Sequence, residues 1–553
     1  MYLQRWRLIC VFAVISLFHG ICNSEKAPDY TFVHDAVSAP SVSFHDYIVI
    51  GGGTSGCPLA ATLSQGATVL VLERGGSPYG NRNIENMANF AASIADASPN
   101  SPSQQFVSED GVVNTRARVL GGGSALNAGF FTRASKDYVK EASWDEKLVE
   151  ESYEWVERKV AFKPPVLAWQ SAVRDGLIEA GVTPDNGFTY EHLFGTKTGG
   201  TIFDGSGHRH TAANLLEYAQ PNSTAVYLFA TVHKILFSTV GERSPRAYGV
   251  IFEDKAGRMH GAYLRKESGN EIIVSAGAMG SPQVLMLSGI GPMQQLKDHG
   301  LKVLLDQPMV GQGMADNPMN ALLVPSRRPV EVSLIQVVGI TRFGSFIETI
   351  SGSGFVYQTG QPQMTPPPVR GYVNMSIRGG IILEKIDGPI SKGHLELRTT
   401  NPKDNPSVTF NYFKDPEDLR KCVLGMKTII DVLNSQAMSS FRYDDMPVED
   451  LISMMLGLPV NLRPHHPTAA ISLEQFCIDT VMTIWHYHGG CQVGSVVDRD
   501  YKVIGVDSLR VVDGSTFNAS PGTNPQATVM MLGRYMGQKL LQERAANRVK
   551  TVK

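Results

Sequence analysis

The 553-residue chain lacks several features that would assign it to a class directly. It has no long run of one charge, and its formal net charge is −2, so it offers no basic face for nucleic acid. Beyond residue 18 no apolar run is long enough to cross a bilayer. What remains, with 42% hydrophobic residues, is typical of a globular enzyme. This length exceeds what one core usually supports, which predicts two or more domains.

The N-terminus has the pattern of a secretory signal. Arg5 and Arg7 precede LICVFAVISLF, an apolar run from Leu8 to Phe18 that is too short for a membrane span, and small residues surround Ser24. We predict a signal peptide over residues 1–24, with an uncleaved membrane anchor as the alternative. The C-terminus NRVKTVK is not an endoplasmic-reticulum retention signal, so a secreted protein, extracellular or vacuolar, is expected.

Cysteine is scarce. Six are present, and four of them, Cys57, Cys422, Cys477 and Cys491, follow the signal. Cys422 and Cys477 lie in two segments predicted to be helical, DLRKCVLGMKTIIDVL and SLEQFCIDTVMTIW. An oxidising compartment allows these two to pair, although spacing alone does not prove connectivity. We predict one disulfide, Cys422–Cys477.

Three N-x-Ser/Thr sequons bear on secretion. They begin at Asn222, Asn374 and Asn518. We predict glycosylation at Asn222 and Asn374, and none at Asn518, because that residue lies in a segment expected near the active centre.

The strongest local motif is HDYIVIGGGTSGCPLAATLSQGATVLVLERG, from His45. DYIVI predicts a buried strand, Gly51, Gly53 and Gly56 form G-x-G-x-x-G, a helix follows, and TVLVLE predicts a second strand that ends in Glu73. The glycines let the backbone approach a pyrophosphate, which the helix N-terminus favours, while a carboxylate at Glu73 suits ribose hydroxyls. The unit therefore predicts dinucleotide binding. The alternative, a glycine-rich turn without a ligand, does not explain Glu73.

Further motifs give the chain a family resemblance. ARVLGGGSALNAGFFTRA (Ala117 to Ala134), GAMGSPQVLMLSGIG (Gly277 to Gly291) and VVDGSTFNASPGTNPQATVMMLG (from Val511) follow in order. With the first motif, they resemble the glucose–methanol–choline (GMC) family of flavin oxidoreductases. WHYHGGC and FVSEDG are similar to its plant branch, which includes HOTHEAD-type proteins and (R)-mandelonitrile lyases.

This resemblance implies the α/β GMC fold: a Rossmann-like FAD-binding domain interleaved with an α+β substrate domain on an antiparallel sheet. The expected FAD-binding domain comprises residues 45–165, 220–320 and 480–545, and the substrate domain comprises residues 166–219 and 321–479. A monomer is expected. Family positions carried over to FAD contacts are Gly51, Gly53, Thr54, Ser55, Gly56, Glu73, Arg74, Val119, Gly123, Asn127, Ala128, Gly129, Phe130, Val232, Trp485, Asp513, Gly514, Pro525 and Gln526. Some relatives tether FAD through a histidine where this chain has Leu126, so the FAD is predicted to be non-covalent.

The segment TIWHYHGGCQVG contains two histidines, which could provide a catalytic base, bind a metal ion as a pair, or only pack. On an extended segment, His486 and His488 would point to the same side. The resemblance assigns the base to His486, which Gly494 follows at the family's spacing, and gives His488 a structural role. A metal site needs three or more ligands, and neither this segment nor RPHHPT at His465 supplies them. No metal is predicted.

The resemblance also implies the chemistry. Neutral His486 would take the hydroxyl proton of a small-molecule alcohol while hydride passes to the flavin, and Asn524 would donate a hydrogen bond to the developing alkoxide. Asn524 could instead only start an Asn-Pro turn. Ile347, Ile484, His486 and Asn524 are the expected substrate contacts, within a pocket formed largely by residues 327–403. The apolar character of that stretch favours a partly hydrophobic alcohol, not a sugar.

Two other functions remain open. The first is a mandelonitrile lyase that cleaves a cyanohydrin on a non-redox FAD. In those lyases a histidine stands at the Asn524 position and a tyrosine at the Ile484 position, so this chain departs from their pattern. The second is a flavin-binding structural protein without turnover, which would need neither His486 nor Asn524.

Overall fold

The computed structural model describes residues 28, 30–241, 243–267, 269–358, 374–522 and 524–552. The predicted signal peptide, residues 1–24, and part of the expected substrate segment therefore lie outside the described residues.

A six-stranded parallel sheet forms around the glycine motif. Tyr47–Ile50 and Val69–Glu73 lie side by side near its middle, and every residue of both strands is buried. Continuous apolar runs suit this position because both faces of a parallel sheet are covered. The strand order is Val33–Asp35, Thr224–Leu228, Val69–Glu73, Tyr47–Ile50, Glu271–Val274 and Leu509–Val511.

The second large sheet of the fold has seven strands and is largely antiparallel. Its strand order is Met482–Thr483, Pro318–Pro325, Asn374–Ile386, Ser345–Gln358, Val337–Ile340, Gly195–Thr198 and Asp185–Phe188. Its strands alternate along the chain with those of the parallel sheet. The predicted α/β fold with an interleaved antiparallel sheet is thus confirmed, while the domain boundaries stay a prediction because residues from Thr31 onward form one compact unit.

Smaller sheets and helices complete the fold. A four-stranded sheet comprises Thr231–Ser238, Arg246–Glu253, Met259–Leu264 and Val42–His45, and a three-stranded sheet comprises Gln312–Met314, Gly393–Glu396 and Ser407–Thr409. Two-stranded pairs are Ser103–Val107 with Val113–Ala117, Phe130–Phe131 with Gly200–Thr201, and Ile290–Gly291 with Leu305–Asp306. The α-helices are Gly56–Leu63, Arg82–Glu85, Phe90–Ala95, Lys136–Glu141, Glu146–Val160, Ala168–Glu179, Gly277–Leu287, Met293–Asp298, Pro416–Asn434, Val448–Leu456, Leu473–Asp479 and Gln526–Val552. Short 3-10 helices are Ala36–Ser38, Met87–Asn89, Gly122–Ala125, Ala212–Tyr218, Pro221–Ser223, Pro467–Ala470 and Gly514–Thr516.

One predicted helix is shorter than expected. The segment that contains Cys477 is helical only over Leu473–Asp479, and the chain then joins the antiparallel sheet as Met482–Thr483. The expectation that the helix continues toward Trp485 was therefore wrong. The residues that follow are rich in β-branched side chains, which favour strands over helices.

The structure contains the disulfide between Cys422 and Cys477, which joins helices Pro416–Asn434 and Leu473–Asp479 across 55 positions of sequence. Replacing both cysteines by serine should lower the free energy of unfolding by roughly 4 kcal/mol, because the cross-link limits the freedom of the unfolded chain. Urea denaturation of the purified protein would measure the change. Cys491→Ser is the control, since this buried thiol is unpaired. Peptide mapping that found free thiols at positions 422 and 477 in oxidised protein would contradict the prediction.

Two further expectations concern the surface. Within the described ranges, no helix combines the length and apolarity needed to span a membrane. Asn222 is exposed in the 3-10 turn Pro221–Ser223, and Asn374 begins a strand. Glycosylation of both stays a prediction.

Candidate active site

The glycine motif forms a tight turn between the first strand and helix Gly56–Leu63. Gly51 has φ of +104°, and a Cβ there would lie 2.4 Å from the carbonyl oxygen of Ser275. A Cβ on Gly56 would lie 2.0 Å from the carbonyl oxygen of Gly51, so Gly56 allows the helix to start against the strand. Of the two, Gly51 lines the adjoining cavity and Gly56 does not.

The Glu73 side chain forms hydrogen bonds with backbone amides at the edge of this turn. Its Oε2 accepts a hydrogen bond from the Gly52 amide at 2.9 Å, and its Oε1 accepts one from the Gly75 amide at 2.7 Å. Burial raises the pKa of the Glu73 carboxyl, while these amides and Arg74 oppose the shift. The carboxylate therefore fixes the backbone just after both strands, at Gly52 and at Gly75, and still lines the cavity.

An elongated cavity extends from this turn, and we call it the cofactor cavity. The N-termini of helices Gly56–Leu63 and Gly277–Leu287 both border it, and the Ser55 hydroxyl beside it is buried without a hydrogen-bond partner. Two helix N-termini and an unsatisfied hydroxyl fit a pyrophosphate, so the residues present fit FAD. The predicted FAD residues that line it are Gly51, Gly53, Thr54, Ser55, Glu73, Arg74, Val119, Gly123, Val232, Trp485, Asp513 and Gly514.

Asp513 lines the cofactor cavity and also caps a helix. Its Oδ2 accepts hydrogen bonds from the Gly277 amide and the Ser281 hydroxyl, and its Oδ1 accepts from the Ser515 amide. The carboxylate thus caps the helix that begins at Gly277, and Gly514 presents backbone to the cavity.

Glu73→Ala should weaken FAD binding by about 10- to 100-fold, because it leaves two buried amides without their charged acceptor and removes a group that suits the ribose hydroxyls. Fluorescence titration of the apoprotein with FAD would measure the change. Thr62→Ala is the control. Thr62 is buried in helix Gly56–Leu63 and does not line the cofactor cavity, and its hydroxyl donates to the Pro58 carbonyl. Equal losses of affinity in the two variants would contradict the assignment of Glu73.

A second cavity adjoins the first and shares Thr54, Gly123, Trp485 and Tyr487 with it. We call it the substrate cavity. Asn127 Nδ2 donates to Gln526 Oε1 at 2.8 Å, and Gln526 Nε2 donates to the Phe130 carbonyl at 2.6 Å, which ties the loop 127–130 to the C-terminal helix. The predicted residues that line this cavity are Thr54, Gly123, Asn127, Ala128, Gly129, Phe130, Ile484, Trp485, His486, Asn524, Pro525 and Gln526.

His486 reaches the substrate cavity from a bent segment. Trp485 has φ of +60°, which turns the chain so that Trp485, His486 and Tyr487 all line the cavity instead of alternating. Nδ1 of His486 is buried without a hydrogen-bond partner. Burial holds the pKa of His486 well below its usual range, and the charges of Lys385 and His488 act in the same direction. A neutral imidazole is the form that can accept a proton.

His488, unlike His486, does not line the substrate cavity. It is 3% exposed, lines neither cavity, and its Nδ1 lies 3.1 Å from the His486 carbonyl oxygen. Burial lowers the pKa of His488 to about 4. The expectation that the two histidines point to the same side was therefore wrong, since only His486 lines the substrate cavity.

Asn524 meets a charged pair that the sequence analysis missed. The Lys385 ammonium donates to Asn524 Oδ1 at 2.9 Å and to Glu348 Oε1 at 2.6 Å, and both charged side chains are completely buried. Burial lowers the pKa of Lys385, while the Glu348 carboxylate opposes the shift. An ammonium can only donate, so Oδ1 is the Asn524 atom that faces it.

Asp316 is a second residue that sequence reasoning missed. It is 1% exposed, and its Oδ1 accepts a hydrogen bond from the His486 amide at 3.0 Å. Burial raises the pKa of Asp316 to about 6, although hydrogen bonds from Thr483 and Tyr412 act in the opposite direction.

The structure does not bring Ile347 to the site. Side chains alternate along its strand, so Phe346 packs with Phe130 beside the substrate cavity, whereas Ile347 is fully buried in the large core on the other face. The substrate role predicted for Ile347 is therefore corrected. Among the residues in the described part of the chain, no group of three or more His, Cys, Asp or Glu side chains is placed to hold a metal ion.

A cavity that fits a dinucleotide adjoins a substrate cavity lined by a histidine, an arrangement that suits a dinucleotide-dependent oxidoreductase. Comparison with known proteins agrees. Two GMC oxidoreductase family models match residues 45–319 and 389–533. The chain belongs to the GMC oxidoreductase family.

Several relatives that match over most of the chain come from plants. Protein HOTHEAD of Arabidopsis thaliana is 53% identical over 92% of this chain and 89% of its own length. An (R)-mandelonitrile lyase-like protein of the same plant is 48% identical over 93% and 92%, and a sinapyl alcohol oxidase of Nesocodon mauritianus is 45% identical over 99% and 98%. A solved formate oxidase variant of Aspergillus oryzae, studied for its FAD modification, has a TM-score of 0.73 at 18% identity over 92% of this chain and 100% of its own. The family and this fold support FAD as the cofactor.

Proposed function

We propose that the protein is a secreted FAD-dependent oxidoreductase that converts a partly hydrophobic alcohol to an aldehyde. One observation carries this proposal: His486, whose Nδ1 is buried without a hydrogen-bond partner, lines the same cavity as the amide side chain of Asn524. A hydroxyl that loses its proton to neutral His486 would gain a hydrogen bond from that amide as charge develops on its oxygen. Acceptor and donor therefore border one cavity.

FAD, when bound, supplies the acceptor for the hydride. Gly51, Ser55 and Glu73 would hold its nucleotide part, and Trp485, which borders both cavities, would contact its ring system. Leu126 has no nucleophilic atom, which supports non-covalent binding. We infer a secreted glycoprotein from the N-terminal segment and the sequons at Asn222 and Asn374, and we expect a monomer.

The lining of the substrate cavity supports the choice of alcohol. Phe130, Leu126, Ile94, Ile335 and Ile484 present apolar surface around the polar groups of His486 and Asn524. A sugar would bring several hydroxyls that this surface cannot satisfy. An aryl or long-chain primary alcohol fits the lining better.

A hydroxynitrile lyase is the second candidate. The relatives named as (R)-mandelonitrile lyases favour it, and the buried Lys385 ammonium offers positive charge beside Asn524 that could stabilise a departing cyanide. The Glu348 carboxylate next to Lys385 weakens that field, and Asn524 itself carries no charge. These two points favour the oxidoreductase.

One experiment separates the two candidates. The purified holoprotein would be mixed anaerobically with benzyl alcohol, cinnamyl alcohol, 1-octanol, glucose and mandelonitrile, while flavin bleaching and cyanide release are followed. We expect an aryl or long-chain alcohol to bleach the flavin and glucose to leave it oxidised. Catalytic cyanide release from mandelonitrile, with no bleaching by any alcohol, would replace the oxidoreductase with the lyase.

A further inference from the structure

One carboxylate connects several residues behind the substrate cavity. Asp316 Oδ1 accepts from the His486 amide, and Asp316 Oδ2 accepts from the hydroxyls of Thr483 at 2.6 Å and Tyr412 at 2.5 Å. Thr483 and Tyr412 are 2% and 6% exposed, so water does not compete strongly for these bonds. A carboxylate suits this place because it can accept from three donors and, when ionised, brings no donor of its own.

The segment that Asp316 holds has a bend that does not form easily alone. A left-handed conformation such as that of Trp485 is sterically unfavourable for a non-glycine residue. The Trp485 amide donates to the Thr483 hydroxyl at 2.8 Å, and that hydroxyl in turn donates to Asp316. The amides of two successive residues, Trp485 and His486, are therefore fixed by one carboxylate, directly or through one hydroxyl.

A backbone pairing holds the other end of the segment. The Ala315 amide donates to the His488 carbonyl at 3.0 Å, and the His488 amide donates to the Ala315 carbonyl at 2.8 Å. Asp316 follows directly in the chain and enters strand Pro318–Pro325 of the antiparallel sheet. The bend is thus attached to a rigid element.

We propose that Asp316, acting through Thr483, is a positioning residue that sets the orientation of the His486 imidazole in the substrate cavity. The proposal rests on the proposed role of His486 as the base. It does not depend on which reaction that base serves, because both candidate functions begin with proton removal by His486.

The test compares three conservative variants as holoproteins. Thr483→Val keeps the shape but removes the acceptor for the Trp485 amide, Thr483→Ser keeps the hydroxyl but removes a methyl group, and Tyr412→Phe removes a hydroxyl that binds Asp316 without contacting the bend. With cinnamyl alcohol, we expect Thr483→Val to lower the rate of anaerobic flavin reduction about 10²-fold, since small misplacements of a reacting group have such effects. The substrate concentration for half-maximal rate should change little. Thr483→Ser and Tyr412→Phe should each lower the rate of flavin reduction by no more than about tenfold.

The order of the variants distinguishes positioning from packing. If Thr483 only fills space, valine should be tolerated at least as well as serine, and that result would overturn the proposal. Equal losses in Thr483→Val and Tyr412→Phe would also overturn it, because the two share only the loss of a donor to Asp316.

Failure of the proposed function has a different signature. If the unaltered protein releases cyanide from mandelonitrile and oxidises no alcohol, the same order of variants is expected in cyanide release. If it turns over neither, the visible circular dichroism of bound FAD is compared, because Trp485 borders both cavities. A spectrum of Thr483→Val identical to that of the unaltered protein would then refute the positioning role, whereas a change confined to Thr483→Val would support it.

Discussion

His486→Ala should lower the rate of anaerobic flavin reduction by alcohols about 10²- to 10⁴-fold, the usual loss when a general base is removed. His486 is the histidine that borders the substrate cavity, and its Nδ1 is buried without a partner. FAD should remain bound, because Glu73 and the glycine turn that hold it are made by another part of the chain. Stopped-flow spectroscopy gives the rate, and the FAD-to-protein ratio confirms loading.

His488→Ala is the matched control. It removes a buried imidazole two positions away that lines neither cavity, so it should lower thermal stability more than the rate of the chemical step. Comparable rate losses in the two variants would contradict the assignment of the base to His486.

The direction of the pKa shift also fixes the pH dependence of this step. Because burial and the charge of Lys385 hold the pKa of His486 below the ordinary value of about 6.5, the imidazole stays neutral into mildly acidic solution. The rate of flavin reduction should therefore fall on the acid side only below pH 6.5. A limb centred above that pH would show that another group titrates.

Lys385→Met should lower the free energy of unfolding by about 3–5 kcal/mol, because it leaves the Glu348 carboxylate buried without its charged partner. Glu348 Oε2 already lacks a hydrogen-bond partner, so the protein has no nearby donor to replace the ammonium. Urea denaturation would measure the loss. A Lys385→Met protein as stable as the unaltered one would contradict the burial of both charges.

The double variant Lys385→Met with Glu348→Leu separates folding from catalysis. Removing both charges should restore most of the stability, because a buried ion pair can often be replaced by apolar side chains of similar volume. Its rate should nevertheless fall toward that of Asn524→Ala, a loss of roughly 3 kcal/mol in transition-state stabilisation, since the hydrogen bond from Lys385 that orients the amide is gone. Full activity of the stable double variant would show that Asn524 needs no such orientation.

Parts of this site could be predicted from sequence because they are local. The glycine turn, both of its strands and Glu73 lie within about 30 residues, and the structure has them as strands Tyr47–Ile50 and Val69–Glu73 around helix Gly56–Leu63. His486 and Asn524 came from the family resemblance, and both line the substrate cavity.

The residues that support them could not be predicted, for a physical reason. Lys385 and Asn524 are 139 positions apart, and Lys385 and Glu348 meet only through the pairing register of two long strands. A shift of one residue in such a register exchanges the faces of the sheet, and Ile347, expected at the cavity, lies on the face opposite its neighbour Phe346. Asp316 gave no local signal either, since its partners Thr483 and Tyr412 are distant in sequence.

The wall shared by the two cavities bears on how such proteins diversify. Any change at Thr54, Trp485 or Tyr487 alters the surroundings of cofactor and substrate together. Ile94, Ile335 and Ile484 border the substrate cavity alone. We therefore expect substitutions at these three isoleucines to change which molecule is accepted more than they change cofactor binding.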